Sequence, residues 1–291
     1  MPSASPGYRG MDQVTLDAQY DARAAAPNHA ERTAHRDAWS TRARASLACD
    51  LDVHYGAGAR ETLDIFPAAR PGAPVEVYIH GGFWRAKSKS DVSFIAQAMV
   101  PAGVTFVAIE YDLVPNVTLD VIVAQCRAAL AWTYRNIARY RGDPSRIHVS
   151  GVSAGAHLGA MVLATPWRTM HGLPEDVVKG ASLVSGFYDL EPIRLTSENR
   201  TYGLDVAGAR RNSPILHIPA RAGPLVLAVG SAETREFRRQ TTDFAAAWQA
   251  AGHACTLIEA PGLHHYDMAL EAGNATGPIV RAVLADIGRM A

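Results

Sequence analysis

The chain predicts a single α/β domain built on a mostly parallel sheet of roughly eight strands flanked by helices. Two observations carry this. From Pro74 onward, short apolar runs alternate with longer stretches of helical period. Those runs read as apolar on both faces, the pattern of strands covered by helices on each side. The composition supplies the core such a sheet needs. Of 291 residues, 48 % are hydrophobic and 19 % charged, and no internal repeat or linker divides them.

Residues 1–10 read as a loose tail. Met11 to Ala25 and His29 to Ala48 read as charged, Ala-rich helices, separated by Pro27-Asn28. They form an N-terminal extension, 1–48, that packs on the domain 49–291. Leu51 to Tyr55 and Glu61 to Phe66 alternate apolar and polar residues around the Gly56–Ala59 turn. That predicts an antiparallel hairpin with one wet face. Val75 to Ile79 is a strand, Asp91 to Val100 a helix, and Val104 to Ile109 a strand. Thr118 to Tyr140 is a long helix with Val123, Cys126, Leu130, Tyr134 and Ile137 on one face. The strand Ile147 to Ser150 precedes a helix over Ala154 to Thr165. Strands follow at Val178 to Val184, Pro224 to Val229 and Thr256 to Glu259, with helices at Thr234 to Ala251 and Gly277 to Met290. Tyr188 to Ala222 breaks the alternation. It is polar, holds Pro192, Pro214 and Pro219, and predicts short helices. Leaving from a strand end, where α/β sheets bind ligands, it is a candidate lid over about 188–222.

Lys+Arg and Asp+Glu both number 28, so the basic excess of a nucleic-acid binder is missing. No apolar run reaches membrane-spanning length. Met1 to Met11 is Pro-, Ser- and Gly-rich without an apolar h-region, so no secretory signal is read and a cytoplasmic setting is expected. Cys49, Cys126 and Cys255 lie far apart and form no C-x-x-C pair, which predicts buried free thiols.

The chemistry centres on Gly151-Val152-Ser153-Ala154-Gly155, at a strand-to-helix turn. A serine between glycines there is the sequence form of a nucleophile elbow. The serine hydroxyl needs a base, an acid to orient the base, and donors for the developing oxyanion. His80-Gly81-Gly82-Phe83-Trp84 follows the strand Val75 to Ile79 and supplies the oxyanion loop, with Gly81, Gly82 and Ala154 as backbone donors. His80 reads as a hydrogen-bonder that shapes this loop. Phe83 and Trp84 are candidate walls of the acyl pocket, with core packing as the alternative. Glu233 is the first carboxylate after Pro224 to Val229, and Asp189, after Val178 to Val184, competes with it. Glu236 reads as solvated. The base lies in Pro261-Gly262-Leu263-His264-His265-Tyr266-Asp267, and spacing leaves His264 and His265 open. A metal reading of this His-His-x-Asp run lacks the H-E-x-x-H helix or Cys/His cluster that would support it, so no metal or organic cofactor is expected.

Together these residues resemble the α/β-hydrolase superfamily. Within it they resemble the arylformamidase (kynurenine formamidase) branch related to hormone-sensitive-lipase-type esterases. The resemblance spans about residues 75–267. It rests on His80–Trp84, Tyr111-Asp112-Leu113-Val114-Pro115 with Thr118-Leu119, and Gly142-Asp143-Pro144. It continues through Ser153–Leu158, Tyr188–Pro192, Glu233 with Glu236–Gln240, and His265-Tyr266-Asp267. It implies the α/β-hydrolase fold and selects His265, the histidine followed directly by an aromatic. The acid position holds Glu233 where aspartate is usual. Val152 precedes the nucleophile where histidine is usual, and joins the candidate pocket residues. Phe83 stands where tyrosine is common. The implied activity is hydrolysis of a short-acyl amide or ester of a small-molecule substrate through an acyl-enzyme. A general carboxylesterase is the close alternative, and a non-catalytic small-molecule binding protein the distant one.

Overall fold

The computed structural model describes residues 8–290; the rest of the predicted tail, 1–7, lies outside the described residues. Eight strands form one sheet: β1 Asp50–His54, β2 Thr62–Phe66, β3 Ala73–Ile79, β4 Thr105–Ile109, β5 Gly142–Val152, β6 Val178–Val184, β7 Leu225–Gly230 and β8 Cys255–Ala260. Their order is β1-β2-β4-β3-β5-β6-β7-β8. β2 is antiparallel to β1 and β4, and every other pair is parallel.

The helices are α1 Gln13–Tyr20, α2 His29–Ser46, α3 Ala96–Met99, α4 Leu119–Asn136, α5 Ala154–Leu163 and α6 Trp167–His171. They continue with α7 Glu191–Leu195, α8 Asn199–Tyr202, α9 Val206–Arg211, α10 Arg235–Ala250, α11 His265–Glu271 and α12 Pro278–Gly288. α7, α8 and α9 are the short helices expected in the polar insertion.

Strand pleating sends alternate side chains to opposite faces, and both faces are covered. Val75, Val77 and Ile79 of β3 join Ile122 and Leu130 of α4 and Leu158 of α5 in one core. Tyr78, Phe106 and Ala108 point the other way, into a second core with Val280, Val283 and Ile287 of α12. Burying each such side chain contributes about 1.5–3 kcal/mol, which is why the strands read as apolar throughout.

The sheet fixes where a site can form. β4 pairs with one side of β3, and β5 with the other. The chain direction across the sheet therefore reverses at β3. A crevice opens at the carboxyl ends of β3 and β5, where connections diverge to opposite faces. His80-Gly81-Gly82 follows β3 and Ser153 follows β5.

Several local expectations are corrected. The hairpin has no wet face on β2, because all five of its residues are buried. Asp64, the polar residue that suggested such a face, is fully buried. It pairs with Arg44 of α2, lies 3.4 Å from Lys89 Nζ, and accepts a hydrogen bond from Asp52 N at 3.0 Å. α2 covers this face, so the carboxylate is neutralised from above. The segment predicted as a helix over 91–100 begins as a 3₁₀ stretch, Lys89–Ile95, before α3. Asp91 Oδ2 reaches back to Ser88 N at 2.8 Å and fixes that tighter start. α1 stops at Tyr20, short of Ala25, because the Asp21 carboxylate accepts from Arg23 N and Ala24 N. This local turn competes with helix continuation. Of the cysteines, Cys126 is buried, whereas Cys49 and Cys255 are half-buried; all are free thiols.

Candidate active site

Ser153 adopts φ 59° and ψ −123° between β5 and α5. This is a strained conformation for a residue with a side chain. Ser153 N donates to Val184 O at 2.8 Å, which ties the turn to β6. Gly155 allows α5 to start against β3. A Cβ there would sit 2.0 Å from the Ile79 carbonyl oxygen. The tight turn puts Ser153 on the crevice and Ala154 at the first turn of α5, where helix N–H groups lack intrahelical acceptors.

The loop after β3 is strained and braced. Gly82 has φ 112°, and a Cβ would meet the Ala86 carbonyl oxygen at 2.1 Å. Phe83, Trp84 and Lys87 also have positive φ. His80 lies beneath them, fully buried. Its Nε2 is 2.9 Å from Glu110 Oε1, and its Nδ1 is 2.7 Å from Gly81 O. Tyr111 stacks on the ring at 4.1 Å and donates to His80 O at 2.6 Å. Burial pushes the Glu110 carboxyl up, but the His80 hydrogen bond and the Arg60 charge prevail and hold it below its usual value. His80 is thus a brace for the loop.

His265 opens α11. Its Nδ1 lies 2.7 Å from Glu233 Oε2. Glu233 is buried, and its other oxygen accepts from Ser185 Oγ at 2.5 Å and Gly230 N at 2.9 Å. Phe237 packs on the imidazole at 4.5 Å between ring centroids. The carboxylate is held from three sides, so it can hold the ring in turn. With Nδ1 so engaged, Nε2 is the nitrogen left for the cavity that His265 and Ser153 both line.

The competing residues are occupied elsewhere. His264 caps α11, accepting at Nδ1 from Tyr266 N and Asp267 N, while its Nε2 contacts Asn28. Asp189 accepts from Glu191 N at 3.0 Å and from Tyr8 Oη at 3.4 Å. Glu236, read as solvated, is fully buried. It accepts from Tyr20 Oη at 3.1 Å and pairs with Arg239 at 2.8 Å. α1 covers it, and one charged partner offsets its desolvation.

The cavity holds about 720 Å³ and contains Gly81, Gly82, Phe83 and Val152 in its wall. That is the size of an ordinary small-molecule site. Trp84, expected beside Phe83, lies behind the wall at 1 % exposure. Its indole donates to His157 Nδ1 at 3.1 Å, and His157 Nε2 is 2.7 Å from Asn212 O. An indole N–H only donates, so His157 carries its proton on Nε2. Burial holds this imidazole down to about 4, against the smaller opposing effect of the Asn212 bond. The unfolded histidine titrates near 6.5. Between those values the unfolded chain binds a proton that the folded one refuses. Stability is therefore complete above about pH 6.5 and falls by on the order of 3 kcal/mol as pH drops to 4. Denaturant unfolding across this range should show that slope, and His157→Gln should flatten it.

Part of the cavity lining comes from two places far apart in sequence. Tyr202 of α8 stacks on Phe83 at 5.6 Å, and Glu198 pairs with Arg85. Asp17 of α1 accepts from Ser197 N at 2.8 Å, and both line the cavity. Ser185, the Asp17–Arg23 segment and Tyr202 were not singled out from sequence. Ser185 lies next after a predicted strand and Tyr202 within the candidate lid 188–222, so both had a positional signal but no chemical one. Among the described residues, no group of three or more His, Cys, Asp or Glu is placed to hold a metal ion. No helix among them is long and apolar enough to cross a membrane.

A family model described as BD-FAE matches residues 63–178. The kynurenine formamidase of Salmo salar is 35 % identical over 235 residues, covering 78 % of each chain. The chain belongs to the kynurenine formamidase-like branch of the α/β-hydrolase superfamily. As a member of this branch it is a hydrolase of amide or ester bonds. Esterase LipQ of Mycobacterium tuberculosis is 32 % identical over 241 residues, covering 75 % of this chain and 57 % of LipQ. A solved structure described as a putative thioesterase from Silicibacter sp. TM1040 superposes with a TM-score of 0.78 at 25 % identity. It covers 94 % of this chain and 98 % of the other.

Proposed function

We propose that the chain is a serine hydrolase that removes a short acyl group, formyl foremost, from an aryl amide or ester. The observation that carries this reading is the Glu233–His265 hydrogen bond at 2.7 Å beside a strained Ser153 in one cavity. Ser153 Oγ attacks the carbonyl carbon while His265 Nε2 takes its proton. The resulting oxyanion is bound by backbone N–H groups of Gly81, Gly82 and Ala154. Collapse breaks the bond to the leaving group, which receives the proton from His265. Water, deprotonated by the same imidazole, then attacks the acyl-enzyme and restores the Ser153 hydroxyl. Glu233 keeps Nδ1 protonated and stabilises the imidazolium formed in each half. The chemistry balances without a metal or organic cofactor.

Phe83 and Val152 line the same cavity as Ser153, and in this reading they bound the acyl side and favour a small acyl group. Residues 188–222 form a lid in this reading, and α1 helps to roof the site. A cytoplasmic setting fits three free thiols.

The test is the ratio of kcat/KM for N-formylkynurenine to that for p-nitrophenyl acetate. A higher value for the formamide supports the arylformamidase reading. A general carboxylesterase is the second reading, favoured by the similarity to LipQ and by Val152 where the branch usually has histidine. A clear preference for the acetate would select it.

A further inference from the structure

His265 is the first residue of α11, a helix of only seven residues. The residues on either side of it make contacts that the triad chemistry leaves unexplained. His264 Nδ1 accepts from Tyr266 N at 3.2 Å and from Asp267 N at 3.3 Å. Asp267 Oδ2 accepts in return from His264 N at 3.3 Å. This capping box satisfies first-turn groups that a helix cannot satisfy by itself. With Nδ1 accepting, the His264 proton sits on Nε2, which donates it to Asn28 Oδ1. Asp267 Oδ1 accepts from Arg32 Nε at 2.7 Å. The Tyr266 ring lies 5.6 Å from that of His29. Residues 264, 266 and 267 therefore meet Asn28, His29 and Arg32 in turn, all at the start of α2. His265 alone in this run turns to Glu233.

α2 is a fixed reference for these contacts, because it is anchored along its length. Arg36 pairs with Asp91 at 3.2 Å, Ser40 Oγ donates to the Asp91 carbonyl at 2.9 Å, and Arg44 pairs with Asp64 of β2. Asn28 occupies the N-cap position of α2. Asparagine is favoured there because its side chain can accept from first-turn N–H groups. It makes no such bond in this chain. Its side-chain oxygen goes to His264 instead, so α2 forgoes a cap of its own and α11 gains a contact.

We propose that the start of α2 is a clamp for the catalytic base, with Asn28, Arg32, His264 and Asp267 as its positioning residues. This rests on the serine-hydrolase reading above and gives the N-terminal extension a part in it. Glu233 and Phe237 orient the His265 ring. The clamp fixes the backbone that carries the ring, on both sides of that residue. Nε2 is then held at one point in the cavity, where it takes the Ser153 proton and returns it to the leaving group. A misplacement of about 1 Å in such a group can cost on the order of 100-fold in rate. His264, which spacing could not separate from His265, thus serves the same reaction from outside the cavity.

The experiment measures kcat and KM for p-nitrophenyl acetate, and the rate at which a fluorophosphonate labels Ser153, in the full chain. Denaturant unfolding first establishes a temperature at which each variant is folded. Arg32→Met should lower kcat and the labelling rate about 10-fold, with KM within about twofold of native. Arg32→Lys keeps a donor for Asp267 and should restore most of the loss. His264→Leu removes both the cap and the Asn28 bond and should lose about 10- to 100-fold. His264→Asn returns a cap acceptor and should recover part of it. Arg42→Gln removes a charge from an exposed position further along α2 and is the comparator, expected to match the native protein. Reduced stability with unchanged kcat in Arg32→Met and His264→Leu overturns the proposal. So does a loss that the conservative variants fail to restore, or one that Arg42→Gln shares. If His264→Leu does not fold, the two Arg32 variants decide. The serine reading is judged separately in the same assay: it stands if Ser153→Ala abolishes turnover, whichever way the clamp is decided, and falls if turnover persists.

Discussion

Ser153→Ala is expected to lower kcat for p-nitrophenyl acetate by on the order of 10⁶, the scale seen when a triad acting as a unit loses its nucleophile. The size of the effect follows from what remains. Without Oγ no acyl-enzyme forms, and water must attack directly with only the oxyanion donors and binding to help. The substitution is mild for the fold. The turn is set by the Ser153 N to Val184 O bond and by Gly155 against Ile79, neither of which uses the hydroxyl. A fluorophosphonate probe gives a second readout and should label Ser153 in the native chain. Residual turnover within about a hundredfold of native, or labelling at another serine, would remove Ser153 from the mechanism.

Glu233→Gln should cost about 10⁴ in kcat with little change in shape. The direction follows from the hydrogen bonds. Ser185 Oγ and Gly230 N both point donors at one oxygen of Glu233, so the amide oxygen of a glutamine must take that side. Its NH₂ group then faces His265 Nδ1. That nitrogen must become the acceptor, which drives the proton to Nε2. An imidazole protonated at Nε2 cannot accept the Ser153 proton. The ring stays in place and the tautomer is wrong. Measuring kcat for Glu233→Gln beside Asp189→Asn decides between the two acids. A loss below about tenfold at Glu233 together with a large loss at Asp189 would reassign the role.

Most of the fold could be read because parallel strands covered on both faces must be apolar along their length. β3, β4, β6 and β7 accordingly lie within a residue or two of their predicted limits. Errors occurred where a polar residue was buried by something distant. Asp64 implied a wet face, but α2 brings Arg44 over it from twenty positions earlier. Glu236 looked solvated, but Tyr20 of α1 covers it across 216 positions. For Asp64 the local sequence lacks the partner that makes burial tolerable; for Glu236 it holds the charged partner, Arg239, three residues on, but not Tyr20, which covers it.

The choice of acid and base shows the same division. Adjacent His264 and His265 are alike to any rule of spacing, and only the following aromatic, by resemblance, favoured the second. In the structure they differ because α11 begins between them. The first turns back to cap the helix, and the second is its first residue, facing Glu233. Phe83 and Trp84, equally adjacent, part in the same way: one enters the cavity wall, and the other donates to a buried histidine.

By itself the sequence determined the sheet, the glycine-bounded serine, the His-Gly-Gly loop and the order in which Ser153, Glu233 and His265 follow one another. These depend on local backbone demands and on burial patterns that repeat along the chain. The tertiary structure alone decided that residues of α1 and α8 meet at the cavity lining and that Ser185 braces Glu233. Such facts depend on which distant side chains meet once the sheet reverses direction at β3. Charge pairing and enclosure are properties of that meeting rather than of any stretch of sequence.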